Sequence, residues 1–199
     1  MRPQRSPDLK KLPNAVDPTP LFTARLLLRP YEAADAPVFF ALLDENQSRL
    51  RASFPDRLQA VRTLAEAPAA LAAFEADWRT GRFYVFGIWH RATQTYIGDI
   101  CLMPQQAQRA EIGYYLAASA EGQGYAREAL AAIVQFGFET VAAGSLLIRC
   151  FADNVRGQAV AQAVGFRQEA APPRFAWFRN ADKLSNIRRF LLQRDGLAV

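Results

Sequence analysis

Residues 121–127 read EGQGYAR, between an aromatic stretch, EIGYYLA, and an alanine-rich one, EALAAIVQFGF. A helix beginning near Gly124 leaves its first backbone N–H groups without intrahelical acceptors. Gly122 and Gly124 let the chain turn sharply ahead of that helix and place no side chain over those donors. Such an end receives an anion, above all a phosphate, through hydrogen bonds and the field of the helix. Gln123, Tyr125 and Ala126 complete the turn, and the small methyl of Ala126 permits close approach. Arg127 either supplements a phosphate contact or faces solvent. A P-loop needs Lys-Ser/Thr after the glycines, and a dinucleotide fingerprint needs a third glycine where Arg127 stands; neither condition is met. On these letters alone, a plain turn feeding a helix is an equal reading.

The other reactive side chains narrow the chemistry. His90 is the lone histidine, and no close pair of cysteines accompanies it, so no structural zinc is expected. Cys101 and Cys150 sit in strand-like apolar surroundings and read as reduced, buried thiols. The net charge of +5 favours anionic partners without identifying one. No uncharged apolar run reaches the roughly 18 residues of a membrane span. The opening MRPQRSPDLKKLPNAVDPTP is polar and proline-rich, with no apolar secretory core. It reads as a loose arm over residues 1–20 ahead of a single domain over 21–199, and a cytoplasmic location is expected.

Several elements must position the turn. ARLLLRPY reads as a short strand, at an edge because Pro30 closes it. EAADAPVFFALLDEN reads as a helix with Pro37 in its first turn, FPDRL as a break, and AALAAFEADW as a second helix ended by Gly81. RFYVFGIWH, YIGDICLM and RAEIGYYLA, joined by short connections, form an antiparallel meander. YAREALAAIVQFGFETVA repeats apolar residues at Ala126, Leu130, Ile133, Val134 and Phe138, a helical spacing. SLLIRCFA is a strand, NVRGQAVAQAV a short helix, and NIRRFLLQRD a late strand. The pattern predicts an α+β or mixed α/β fold.

This order of segments resembles the GNAT superfamily of acetyl-CoA-dependent N-acetyltransferases, and within it the branch of ribosomal-protein N-terminal acetyltransferases. AEIGYYLA, EGQGYAREAL and ADNVRGQAVAQAVGF carry the likeness, which extends over about residues 21–195. It implies a central twisted mixed sheet flanked by helices, with acetyl-CoA as cofactor. It also implies that the amides of Gly122 to Ala126 receive the coenzyme A pyrophosphate. The backbone of Tyr115, Leu116 and Ala117, on a strand splayed from its neighbour, then holds the pantetheine arm. Glu121 stands where the family carries Gln or Arg, and a carboxylate there must turn away from a pyrophosphate. Asn154 either contacts the pantetheine or caps the following helix.

The resemblance makes Glu111 the leading general base, with an exposed strand carboxylate paired to Arg109 or another base as the other reading. Asp99 is the weaker alternative. The proton donors of the family are absent: Gly157 and Ala161 stand where Ser and Tyr occur, leaving Tyr114, Tyr115 and Tyr125 as substitutes. An acyl-CoA-binding scaffold without turnover is therefore the rival to an enzyme. On the substrate side, Asn46, Arg49, Leu50, Arg51 and Phe54 are candidate walls. The acceptor is an amine, either a protein N-terminus or a small molecule such as an antibiotic or polyamine. PPRFAWFRNADKLSNIRR mixes aromatic and basic residues but lacks a nucleic-acid signature, so a pocket wall or homodimer edge is expected there and direct nucleic-acid binding is not.

Overall fold

The computed structural model describes residues 16–169 and 186–194. In chain order these give β1 (Leu21–Phe22), β2 (Leu26–Arg29), α1 (Ala36–Glu45), α2 (Gln47–Leu50), α3 (Pro55–Ala60) and α4 (Ala67–Arg79). The meander follows as β3 (Tyr84–His90), β4 (Thr95–Pro104) and β5 (Arg109–Leu116). Then come α5 (Tyr125–Gln135), β6 (Ser145–Phe151), α6 (Val155–Ala163), β7 (Arg167–Gln168) and β8 (Ile187–Gln193). The strands make one sheet in the order β1-β2-β3-β4-β5-β6-β8-β7. Every neighbouring pair is antiparallel except β5 and β6, which run parallel because α5 carries the chain back across the sheet.

Helices cover both faces of the sheet, which explains why its central strands are apolar on both sides. α5 turns Ala129, Leu130, Ile133 and Val134 onto the face that carries Ile100, Leu102 and Ile112. Burial of each large aliphatic side chain there contributes about 1.5–3 kcal/mol. The opposite face is covered by Phe39, Leu42 and Leu43 of α1, Leu50 of α2 and Leu71 of α4, with Tyr115 of β5 beneath them. Successive residues of a strand alternate between faces. Asp99, Cys101, Glu111, Gly113 and Tyr115 therefore look toward the α1 side, and Ile112 and Tyr114 toward α5.

Three sequence expectations need correction. β2 is not an edge strand, because β1 pairs with it at Leu27 and Leu28 while β3 pairs on its other side. FPDRL does not break the helical region; Pro55, with its fixed φ, opens α3. The helix through FGFET widens into a π-turn over Phe136–Thr140. Pro37 does lie in the first turn of α1. Both cysteines are free thiols; Cys101 is buried, but Cys150 is only half-buried. Most of PPRFAWFRNADKLSNIRR and of the N-terminal arm lies outside the described residues.

Candidate active site

β5 and β6 are held together by four pairs, Arg109 with Ser145, Ala110 with Leu146, Glu111 with Leu147 and Ile112 with Ile148. Beyond Ile112 the pairing stops, although β5 continues to Leu116 along β4 and β6 continues to Phe151 along β8. The β6-facing edge of residues 113–116 is thus left without a strand partner, a place where an extended ligand can bond to backbone as an added strand does. The parting begins earlier than the Tyr115–Ala117 segment singled out in the sequence. Ala117 lies past the strand, and its amide already donates to Ile97 O at 2.8 Å.

The same strand leads into the glycine turn. Gly122 and Gly124 have φ of 76° and 80°, a left-handed conformation that side chains rarely adopt, and Gly124 is the N-cap of α5. A Cβ on Gly122 would meet nothing within 4 Å, so the turn opens to solvent. Arg25, invisible to local sequence reading, braces it from behind. It donates to Gln123 O at 2.9 Å and to Glu128 Oε2 at 2.7 Å, and its guanidinium lies 4.5 Å from the centre of the Tyr125 ring. Burial works to raise the Glu128 carboxyl, but bonds from the Thr23 hydroxyl and from Arg25 outweigh it and hold the group below its ordinary range. Arg127 is exposed. Glu121 is gripped by Arg49 of α2 through one oxygen and by Arg156 of α6 through the other, at 2.9 Å. Two arginines thus neutralise the carboxylate at the turn and leave one net positive charge.

Glu111 faces the α1 side one residue before the strands part. Its Oε1 accepts from Arg149 Nε and Nη2, both at 2.7 Å, and its Oε2 from Gln105 Nε2 at 2.8 Å. The partner is therefore Arg149, across the seam, and not Arg109. A carboxylate offers about four acceptor positions, so this arrangement leaves room for one further donor.

Asp99 lies further from solvent, at 0% exposure. Its Oδ2 accepts from Tyr115 Oη at 2.8 Å and Tyr31 Oη at 3.3 Å and pairs with Arg57 Nη2 at 3.2 Å, while Oδ1 has no partner. Arg57 in turn stacks on Phe74, 4.3 Å from the ring centre. Burial pushes the Asp99 carboxyl above its ordinary range, against Arg57 and the two hydroxyls. It also lifts the neighbouring Cys101 thiol to about 12, with Asp99 adding to the effect, so that thiol is unreactive.

The remaining candidates divide by task. Asn46 is not an open wall residue: it is buried, donates to Leu42 O at 2.8 Å and accepts from the Ala118 amide at 3.0 Å. It clips the end of α1 to the segment after β5. Arg49 leans toward the turn through Glu121. Phe54 sits over Gly113 and meets the Tyr115 ring edge-on at 5.0 Å between centres, beside the parted strand. Asn154 caps α6, its Oδ1 accepting from the Gly157 amide at 2.9 Å.

A helix start open to solvent beside two parted parallel strands is an arrangement that could take a long ligand with a phosphorylated end. The family model for the acetyltransferase (GNAT) domain matches residues 25–167, and the chain belongs to that family. It is accordingly an acetyl-CoA-dependent N-acetyltransferase. The chain is similar to the uncharacterized N-acetyltransferase YoaA of Bacillus subtilis, with 24% identity over 88% of this chain and 98% of that one. Among solved structures, the ribosomal-protein-S5-alanine acetyltransferase of Vibrio fischeri has a TM-score of 0.74 at 15% identity, covering 91% of this chain and 100% of that one. RimJ of Mycobacterium smegmatis, solved with a coenzyme A disulfide, has a TM-score of 0.72 at 23% identity, covering 87% and 84%. These two show the fold. The open turn at Gly122 and the unpaired edge of β5 fit a coenzyme A molecule. Among the described residues, no helix is long and apolar enough to cross a membrane.

Proposed function

We propose that the protein acetylates a primary amine whose first candidate is the α-amine of a protein N-terminus. The observation that carries this reading is the parting of β5 from β6 just past Ile112, the residue after Glu111. Acetyl-CoA, when bound, supplies the acetyl group as a thioester. In this chain the amides from Gly122 to Ala126 hold the pyrophosphate, with Arg127 and the Arg49–Glu121–Arg156 tie at the rim. The free edge of residues 113–116, with Tyr115 and Leu116, holds the pantetheine. Ala117 and Asn154 act by shaping the ends of that groove.

Glu111 accepts the proton of the incoming amine from the α1 side, next to Phe54. Its engagement with Arg149 suits an acceptor that needs little help. An α-amine with a pKa near 8 is roughly a tenth neutral at pH 7, against about one in a few thousand for lysine. The similarity of this chain to a putative ribosomal-protein-serine acetyltransferase from Vibrio cholerae, 28% identical over 88% of this chain and 97% of that one with a TM-score of 0.68, supports the same acceptor class. A small-molecule amine is the alternative. Asp99, walled in by Arg57 and Tyr115, serves the pocket floor and not proton transfer.

The test is thiol release from acetyl-CoA against N-terminal peptides, polyamines and aminoglycosides. Peptides are expected to be the better acceptors. Glu111→Gln is expected to lower turnover by about 100-fold or more, the range for loss of a general base. An unchanged rate in that variant removes Glu111 from the chemistry, and turnover of small amines alone removes the peptide reading.

A further inference from the structure

Acetyl transfer leaves a sulfur that departs with an electron pair, and no residue so far described attends to it. Gly157 and Ala161 in α6 carry no group that can donate a proton. Three tyrosines lie close enough in sequence to the parted strands to be considered. Tyr115 is committed on the α1 face, where its hydroxyl bonds Asp99. Tyr125 lies under Arg25 and beside His90, toward β3.

Tyr114 is placed differently. It occupies the unpaired part of β5, turns to the α5 face, and donates to Gly157 O in the first turn of α6 at 3.4 Å. Because α6 grows from β6, this bond reaches from one parted strand to the element borne by the other and so crosses the gap between them. At 3.4 Å it is long for a hydroxyl donor, whose bonds cluster near about 2.7–2.8 Å. The hydroxyl therefore gives up little in turning to another acceptor. Gly157 itself is required by the helix cap. A Cβ there would stand 2.7 Å from Asn154 Nδ2, because the Asn154 side chain folds back over the glycine to cap the helix. Burial, and then the nearby Cys150, push the Tyr114 phenol above its ordinary range, so it is a donor at neutral pH.

We propose that Tyr114 is a catalytic residue whose hydroxyl leaves the Gly157 carbonyl and donates a hydrogen bond to the departing sulfur. The proposal rests on the coenzyme A site described above. The amine nitrogen bonds to the acetyl carbon as the carbon–sulfur bond breaks, and the sulfur keeps the electron pair. The proton shed by the nitrogen balances the one the thiol finally carries.

The experiment uses the full chain and its Tyr114→Phe variant, with Tyr84→Phe, which removes a buried hydroxyl without a partner in the core, as a control. Calorimetry measures coenzyme A affinity, the ultraviolet band of the thiolate gives the pKa of the bound thiol, and steady-state kinetics give kcat and KM. A hydrogen bond to a charged group is lost in Tyr114→Phe. The bound thiol is therefore expected to titrate about 1–2 higher in that variant than in the wild type, and kcat to fall about 10- to 100-fold. Coenzyme A affinity and the amine KM are expected to stay unchanged, and Tyr84→Phe to behave as wild type. Equal thiol pKa values in wild type and Tyr114→Phe would overturn the proposal, as would loss of coenzyme A binding by that variant, which would assign Tyr114 to bracing the gap. Failure of the wild type to bind coenzyme A would instead overturn the cofactor site and the proposal with it.

Discussion

Replacing either glycine of the turn by alanine separates backbone strain from steric contact. At Gly122 the φ of 76° makes the Cβ costly while the space around it is empty. At Gly124 the φ is 80°, and the Cβ would also stand 3.4 Å from Arg25 Nη2. The left-handed conformation costs a residue with a side chain about 1–2 kcal/mol. Against this, alanine restricts the unfolded chain and returns about 0.4–1 kcal/mol. The net loss of stability is therefore between zero and about 1.6 kcal/mol for both variants, with Gly124→Ala the worse because Arg25 must shift. If the turn relieves its strain by leaving the left-handed region, its amides lose their common direction. Coenzyme A affinity then falls by up to about 30-fold, the equivalent of about 2 kcal/mol. Urea denaturation gives the first quantity and calorimetry the second. Wild-type affinity in both variants, with the stability loss present, would show that the turn is a structural corner and receives no anion.

Removing the Asp99 charge by Asp99→Asn leaves Arg57 buried without its counter-ion and is expected to cost about 3–5 kcal/mol, read by denaturant unfolding. Leu130→Ala, in the wholly buried row of α5, is expected to cost about 2–5 kcal/mol by the same measurement. The depressed Glu128 carboxyl stabilises the native state above the ordinary carboxylate pKa, and this contribution is lost as pH falls through its lower folded value. The stability gap between wild type and Glu128→Gln should therefore be full at neutral pH and close in acid. A gap constant down to strongly acidic pH would refute the Thr23–Arg25 assignment.

The glycine turn and the meander were legible because each is written within a few consecutive residues: two glycines before a helical period, three apolar strands with short links. The groups that hold the turn were not. Arg25 lies 98 residues before Gln123 in the chain, and only the pairing of β2 with β3 brings it behind α5. Glu111 was found as a carboxylate ahead of the turn, but its partner could not be chosen among the basic residues until β6 was laid parallel to β5. Asp99 shows the limit most plainly. Its letter gives a charge in a strand, whereas its buried ion pair depends on Arg57 from a helix the sequence pattern had treated as a break. Asn46, a polar residue at a helix end, looked available to a ligand and is spent on the Ala118 amide instead.

The seam between β5 and β6 has a mechanical consequence. Strands β1–β5 form one ribbon and β6–β8 another, stitched by only four residue pairs at one end. A ligand lying between their free ends meets backbone that neither ribbon needs for its own ladders. A long, narrow cargo can thus be housed at this seam with the architecture of each ribbon left intact.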